Sequence, residues 1–297
     1  MHRRKFITVG ASLFSVVLAS GPLRASSNPQ QRVGMSTVTF RHRFAQTKPK
    51  EVNKIKQELT LVDTPEYFAD RFGIHNVEYW SRHFESLEPA YLDSLKKKIK
   101  KTKSRLTNIQ LDQPYQLGAP DETKRKESLE LVLQWVEAAH QVGAHAIRVN
   151  PGKGEVTHSI QALKTINEAA KKHGLILMTE NHFGMEMDPE VHLRIVKEVG
   201  DNMYTLPDYG NYDDAVRYDA LRRVMPYAYQ ISAKAADFNK DLEHTAYDFG
   251  RCMQIAKESG FQGIYSVEQW SRIPLPDNIS AEQVTDWLID QVKAYVS

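Results

Sequence analysis

Three acids and one lysine in the second half of the chain each end an apolar, strand-like segment. They are Glu180, Asp208, Lys234 and Glu268. Helix-like sequence follows each of them, and parallel strands that alternate with helices place their last residues on one rim of a sheet or barrel. Three carboxylates and an ammonium that converge on such a rim predict a divalent-metal site with acid/base chemistry.

The three carboxylates are the core of the predicted site, because hard divalent cations prefer oxygen ligands. A bound cation can polarise a carbonyl or alkoxide oxygen and lower the energy of an adjacent enediolate, while a carboxylate moves a proton at carbon. A simpler alternative is that each acid caps the helix after it or pairs with a lysine. Three acids at successive strand ends favour the shared site over three separate caps.

Further residues at predicted strand ends are candidates for substrate binding: Glu78, Asp112, Arg148, Asn150, Asn211 and Trp270. Arg148 could bind hydroxyls or a phosphate, although a salt bridge inside a barrel explains it equally well. Asn211 could orient the metal ligands. Lys234 could hold a substrate oxygen or stabilise an enediolate, or it could pair with Asp208 or Asp237.

The elements that position these residues alternate regularly along the chain. Strands are predicted at 36–40, 74–78, 106–112, 146–150, 175–180, 203–208, 228–234 and 263–268. Helices fill the intervals, and glycines such as Gly143 and Gly174 end several of them. Eight strands and eight helices favour an α/β fold of the closed (β/α)8 type, a TIM barrel, over an open doubly wound sheet. This predicts a single barrel domain over residues 36–297.

Two of the predicted strands share the frame Gly-Ile-x-x-Val-Glu-x-Trp, which begins at Gly73 and again at Gly263. The frame places Glu78 and Glu268 at equivalent positions in their strands. We therefore expect both glutamates to face the same rim, which supports the barrel.

The N-terminus has the layout of an export signal, predicted here for residues 1–25. Arg3 and Arg4 precede an apolar stretch over 6–19, and small residues follow it. The paired arginines are typical of a twin-arginine signal, which predicts a periplasmic or otherwise exported protein. The apolar stretch is shorter than the roughly 20 residues that a spanning helix needs, so no stable membrane insertion is expected after export. Residues 26–35, rich in polar residues, are predicted to be a linker.

The composition is that of an ordinary globular protein of 297 residues, 41% apolar and 26% charged. The formal net charge is +2, but four basic residues lie in the first 25, and acids outnumber bases by two in the remainder. A near-neutral body gives no electrostatic basis for binding nucleic acid.

The single cysteine, Cys252, excludes an internal disulfide. A homo-oligomer is compatible with the sequence.

Several strand-end motifs resemble a known family. They are Glu-Asn-His-Phe-Gly at 180–184, Leu-Pro-Asp-Tyr-Gly-Asn at 206–211, Met-Pro-Tyr-Ala at 225–228, Ser-Ala-Lys-Ala-Ala-Asp-Phe at 232–238 and Val-Glu at 267–268. Together with segments 72–78 and 138–150, they resemble the xylose isomerase-like sugar phosphate isomerase/epimerase family. The resemblance covers nearly all of the chain after the predicted linker.

The resemblance implies a (β/α)8 barrel that holds a divalent metal such as Mn, Mg, Co or Zn. It implies Glu180, Asp208 and Glu268 as metal ligands, with the two glutamates also acting as the acid/base pair on opposite faces of the substrate carbon. The sequence departs from the family at Ser232, which stands at the position of the metal-binding histidine. His182 is the nearest residue that could complete the ligand set.

The predicted function is therefore a divalent-metal-dependent isomerase or epimerase. It would act on a sugar or sugar derivative by proton abstraction next to a carbonyl, with Glu180, Glu268 and Lys234 as catalytic residues. Two alternatives stay open. One is a metal-dependent lyase or hydrolase on a sugar-derived substrate. The other is a non-catalytic carbohydrate-binding barrel, which the serine at position 232 favours.

Overall fold

A computed structural model describes residues 28–271 and 273–296. The export signal predicted for residues 1–25 lies outside these residues and stays a prediction. Within the part of the chain that the structure describes, no helix is both long enough and apolar enough to cross a membrane.

Eight parallel strands form one sheet that closes into a barrel. The strands are β1 (Val33–Ser36), β2 (Asn76–Trp80), β3 (Arg105–Gln110), β4 (Ala146–Arg148), β5 (Ile176–Glu180), β6 (Met203–Leu206), β7 (Gln230–Ala235) and β8 (Ile264–Gln269). Hydrogen-bonded neighbours follow the order β6-β5-β4-β3-β2-β1-β8-β7. Isolated bridges between Thr205 and Ala228 and between Asp208 and Ser232 join β6 to β7. The predicted (β/α)8 TIM barrel is confirmed.

Helices alternate with the strands around the outside. They are α1 (Thr64–Phe72), α2 (Pro89–Lys101), α3 (Glu122–Val142), α4 (Val156–Lys172), α5 (Pro189–Val199), α6 (Arg217–Val224), α7 (Phe249–Glu258) and α8 (Ala281–Val296). Local sequence sets their ends. Asp121 caps α3 by accepting a hydrogen bond from the Lys124 N–H, and Gly143 ends that helix in the left-handed conformation. The apolar faces pack on the barrel in one continuous core.

The start of the barrel differs from the prediction. β1 lies at Val33–Ser36 rather than 36–40, and 29–32 form a short 3-10 helix, so the predicted linker over 26–35 is wrong from residue 29 onward. Two of its polar side chains tie the segment to the rest of the barrel. Gln30 donates to the carbonyl oxygen of Gly73, and Arg32 donates to the carbonyl oxygens of residues 261 and 263.

The inside of the barrel is apolar on one side and polar on the other. On the side of β4 to β6, the side chains below the rim are apolar: Ala146, Ile176, Met178 and Leu206. On the opposite side they are polar and hydrogen-bonded: Glu78, Asn108, Gln110, Gln230 and Ser266. Because side chains alternate along a strand, the residues two positions further on reach the rim where the predicted site lies.

The loop after β4 depends on a glycine at position 154. Gly154 has φ +111, and a Cβ atom there would lie 2.1 Å from the carbonyl oxygen of Gly118. The two glycines pair in a bridge that joins the loops after β3 and β4. Gly152 also has a positive φ, +76, but a Cβ atom there would meet nothing within 4 Å.

We predict that Gly154→Ala lowers the free energy of unfolding by roughly 2–5 kcal/mol, because backbone strain adds to overpacking against a carbonyl group. Gly152→Ala, the matched control, should cost only about 1–2 kcal/mol of backbone strain. Denaturant unfolding of both variants measures the difference. Equal losses in the two variants would show that the close approach to Gly118 does not determine the conformation of the loop.

Candidate functional site

A cavity of about 690 Å³ opens at the carboxyl ends of the strands. Most of the predicted site residues line it: Asp112, Arg148, Glu180, His182, Lys234, Glu268 and Trp270. Asp208 and Asn211 lie directly behind Lys234 and contact it. Strand ends that are far apart in the sequence thus meet in one pocket, as the pattern of terminal acids predicted.

Arg148 joins two carboxylates on one side of the cavity. Its Nη1 lies 2.6 Å from Asp112 Oδ1, and its Nε lies 2.9 Å from Glu180 Oε2. The Trp80 indole N–H donates to the other oxygen of Asp112 at 2.6 Å. Burial alone would raise the pKa of Asp112, but the guanidinium and the indole together lower that pKa to about 2. Asp112 is therefore a fixed negative charge, and the buried salt bridge considered for Arg148 is present.

Lys234 joins the carboxylates on the other side. Its Nζ donates to Asn211 Oδ1 at 2.8 Å and lies 3.6 Å from Glu268 Oε1 and 3.8 Å from Asp208 Oδ2. Burial would lower the pKa of Lys234, but Asp208, Glu268 and Glu180 together raise it above its ordinary value. The side chain is therefore a buried ammonium that faces three carboxylates. Of the two predicted ion pairs, the structure shows the one with Asp208.

Glu180 and Glu268 are the two buried glutamates that reach the cavity. Glu180 accepts from Asn211 Nδ2 at 3.1 Å, and Glu268 accepts from Gln110 Nε2 at 3.0 Å. Burial raises the pKa of both carboxyl groups above the ordinary value, against the opposing effects of the nearby guanidinium and ammonium. A raised pKa makes each carboxyl group a better proton acceptor than an ordinary glutamate, which suits an acid/base role.

Glu78, predicted to bind substrate, does not line the cavity but lies below its floor. Its carboxylate accepts hydrogen bonds from four side chains: Asn108, Gln110, Gln230 and Ser266. Burial raises its pKa to about 7 in spite of these donors. Gln110 donates to both Glu78 and Glu268, so the floor is linked to the cavity through this one amide.

The remaining predicted residues, Asn150, His182 and Trp270, lie in different parts of the site. Asn150 does not line the cavity, and its Oδ1 accepts from the backbone N–H of Glu180 at 2.9 Å, which positions that strand end. Burial lowers the pKa of His182 to about 4, so this cavity-lining ring is neutral. Trp270 forms a wall with Trp80, the two rings meeting edge to face with centroids 6.1 Å apart.

Gln110 was not predicted, although it contacts two of the glutamates. A signal for it exists in the sequence, because Asn108, Gln110 and Asp112 alternate along a predicted strand and must share one face. Polar residues at every second position of a buried strand indicate a polar barrel interior.

The donors around the cavity differ from those expected for a divalent cation. Among residues 28–271 and 273–296, no three His, Cys, Asp or Glu side chains are arranged to hold a metal ion. Ser232, the position at which the resemblance implied a histidine ligand, has a hydroxyl that is buried without a hydrogen-bond partner. The Lys234 ammonium lies within 4 Å of both Asp208 and Glu268. The donor set therefore does not fit the metal site that the resemblance implied.

A family model described as a xylose isomerase-like TIM barrel matches residues 67–291. No curated protein sequence matches the chain. Solved structures share the fold at low sequence identity.

A 3-keto-D-glucoside 4-epimerase from E. coli is 16% identical with a TM-score of 0.63, the alignment covering 87% of this chain and 98% of that one. A D-psicose 3-epimerase with D-tagatose from Clostridium cellulolyticum H10 is 13% identical with a TM-score of 0.63, covering 89% and 96%. A xylose isomerase-like barrel protein from Mycobacterium smegmatis in complex with magnesium is 11% identical with a TM-score of 0.61, covering 90% and 98%. At these identities the similarity establishes the fold.

We predict that Arg148→Met destabilises the protein by about 3–5 kcal/mol, because it leaves Asp112 and Glu180 buried without their shared cation. Arg71→Met is the control, since the Arg71–Asp286 pair is exposed and should cost less than about 1 kcal/mol. Both values come from denaturant unfolding at neutral pH. A loss in Arg148→Met as small as in the control would mean that the carboxylates do not depend on this guanidinium.

The buried Glu78 predicts a pH-dependent stability. Because its pKa is raised to about 7, its protonated form favours folding, and this contribution is complete below pH 4.5 and lost as pH rises through 7. The loss amounts to at most about 3 kcal/mol.

Glu78→Gln should remove this dependence, so that wild-type and variant stabilities diverge between pH 5 and pH 8. The buried side-chain carbonyl oxygens of Asn108 and Gln230 lack partners. Each can accept a hydrogen bond from the new amide once its own amide group has rotated by half a turn. Thermal unfolding over that pH range measures the divergence. Parallel curves would show that Glu78 keeps the same charge throughout.

Proposed function

This chain belongs to the xylose isomerase-like TIM barrel family, and we propose that it is an isomerase or epimerase that transfers a proton next to the carbonyl of a sugar or sugar derivative. One observation carries the proposal. Glu180 and Glu268 face the same cavity from β5 and β8, which are separated in the barrel by β6 and β7. They can therefore approach one substrate carbon from different sides.

The chemistry follows from these two groups. The ionised glutamate takes the proton from the carbon beside the carbonyl, the C–H electron pair forms a C=C bond, and the carbonyl oxygen gains the negative charge. Arg148 and Lys234 supply two cationic groups beside the cavity, and a positive charge near that oxygen stabilises the negative charge that develops on it. The protonated glutamate then returns a proton, to the opposite face for an epimerisation. Atoms and charge balance without any oxidant or reductant.

The cavity also suits a sugar in its other features. Asp112 is a fixed acceptor for hydroxyl groups, and the indole of Trp270 offers an apolar face against which a sugar ring can stack. Structural relatives whose names give them as epimerases of D-psicose and 3-keto-D-glucoside support the assignment of substrate class. The proposed chemistry assigns no role to the metal that the resemblance implied, because the donors present among the described residues do not fit it.

Proton–deuterium exchange tests the proposal directly. The purified chain is incubated in heavy water with a panel of free, phosphorylated and keto sugars, and exchange at carbon is followed by NMR. Glu180→Gln and Glu268→Gln should each slow exchange by about 10²–10⁴-fold, the usual loss for an acid/base residue. Glu198→Gln, on the exposed face of the helix that follows β5, is the matched control and should exchange at the wild-type rate.

The same experiment separates the alternatives. Loss of water from the sugar, or cleavage, would favour the lyase or hydrolase. Binding of a sugar that never exchanges, with affinity unchanged in both glutamine variants, would support the non-catalytic barrel. Wild-type exchange rates in Glu180→Gln and Glu268→Gln would remove the two glutamates from the mechanism.

A further inference from the structure

Lys234 lies where the family is expected to hold its cation. Its Nζ is 3.8 Å from Asp208 Oδ2 and 3.6 Å from Glu268 Oε1, and only 6% of the residue is exposed. These carboxylates are two of the three that the resemblance implied as metal ligands. The Lys234 ammonium therefore already places a positive charge at this point.

The loop after β6 is shaped around the lysine side chain. A Cβ atom on Gly210 would lie 3.1 Å from Lys234 Cδ and 3.3 Å from its Cγ, so the stem passes closely over the glycine. The next residue, Asn211, accepts from Nζ at 2.8 Å. The Tyr247 hydroxyl donates to the lysine carbonyl oxygen and fixes its backbone. The ammonium is thus held by packing and hydrogen bonds as well as by charge.

Ser232 provides the space and removes the competing ligand. It lies on β7 two residues before Lys234, so both side chains share the inward face of the strand. Its hydroxyl is buried and lacks a partner. Serine is a poor ligand for a divalent cation, whereas an imidazole at this position would complete a set with three carboxylates.

The carboxylates around the cavity already have cationic partners. Arg148 contacts Asp112 and Glu180, while Lys234 contacts Asp208 and Glu268. A dication bound between Asp208 and Glu268 would stand close to the ammonium in a buried, poorly screened position, where repulsion between like charges is strong. It could enter only if Lys234 moved away.

We propose that Lys234 replaces the divalent cation in this barrel, so that its ammonium, not a metal, holds the substrate oxygen. This rests on the proposed function for the identity of the substrate, but the exclusion of the metal does not. When the C–H bond breaks, the new C=C bond takes that electron pair and the carbonyl pair moves to oxygen. The ammonium stabilises the resulting charge through a hydrogen bond and its own positive charge, and protonation at carbon restores the carbonyl.

Metal binding by the full chain is the first test and needs no substrate. Elemental analysis of the purified protein should find substoichiometric metal, and calorimetric titration with Mn²⁺ or Co²⁺ should show no tight site. The double variant Ser232→His/Lys234→Ala should bind these ions at least about 100-fold more tightly, because it restores an imidazole and removes the competing charge.

Ser232→His alone is the matched control. With the ammonium still in place, it should gain little affinity for either ion. Affinity as high as in the double variant would show that Lys234 does not compete for the site and would overturn the proposal. So would a stoichiometric metal in the wild-type protein that is lost in Asp208→Asn. If the double variant fails to fold, the wild-type titration still decides.

Activity then separates this inference from the proposed function. Deuterium exchange into a sugar that the exchange panel identifies should survive dialysis against EDTA, and Lys234→Met should slow it by about 10²–10³-fold. Exchange that disappears with EDTA and returns with Mn²⁺ would overturn the role of Lys234 but keep the isomerase. A wild-type protein that binds no metal and exchanges no sugar would contradict the proposed isomerase activity, but it would still support the proposal that Lys234 takes the place of the cation.

Discussion

The structure depends on the neutralisation of buried carboxylates at one end of a barrel. An ionised side chain that is removed from water must find a partner of opposite charge, or the fold is strongly destabilised. Two cations meet this requirement for four acids: Arg148 for Asp112 and Glu180, and Lys234 for Asp208 and Glu268. Arg148 thereby ties the segment that follows β3 to the ends of β4 and β5, and Lys234 ties the ends of β6, β7 and β8 to one another.

A second requirement, that a buried polar group be hydrogen-bonded, accounts for the polar half of the barrel interior. Below the rim on the side of β2, β3, β7 and β8, Glu78 is held by four donors, one of which, Gln110, also donates to Glu268. On the side of β4 to β6 the corresponding positions are apolar. The orientation of Glu268 is thus coupled to a hydrogen-bond network deep in the barrel, whereas Glu180 is oriented from above by Asn211 and Arg148.

The sequence predicted the barrel and the convergence of the strand-end residues, because both follow from periodicity and chain order. It did not predict the position of β1, since the polar residues before it resemble a linker until their distant carbonyl partners are known. The sequence also could not show whether Lys234 forms its ion pair with Asp208 or with Asp237. Such choices depend on strand register and side-chain rotamers, which tertiary packing fixes. Glu78 is a second example. Its position in the repeated frame places its side chain on the inward face of the strand but does not show how far below the rim of the barrel it lies.

A lysine in place of a metal changes what the neighbouring carboxylates can do. Carboxylates that bind a metal must be ionised, so a dication keeps its ligands deprotonated. A single ammonium neutralises less charge, and burial then leaves the pKa values of Glu180 and Glu268 above normal. In the proposed mechanism the two glutamates therefore act as proton donor and acceptor rather than as metal ligands. Ser232 and the lysine two residues later thus belong together in this proposal, since a serine leaves the implied metal site incomplete and the lysine supplies the charge that the proton transfer needs.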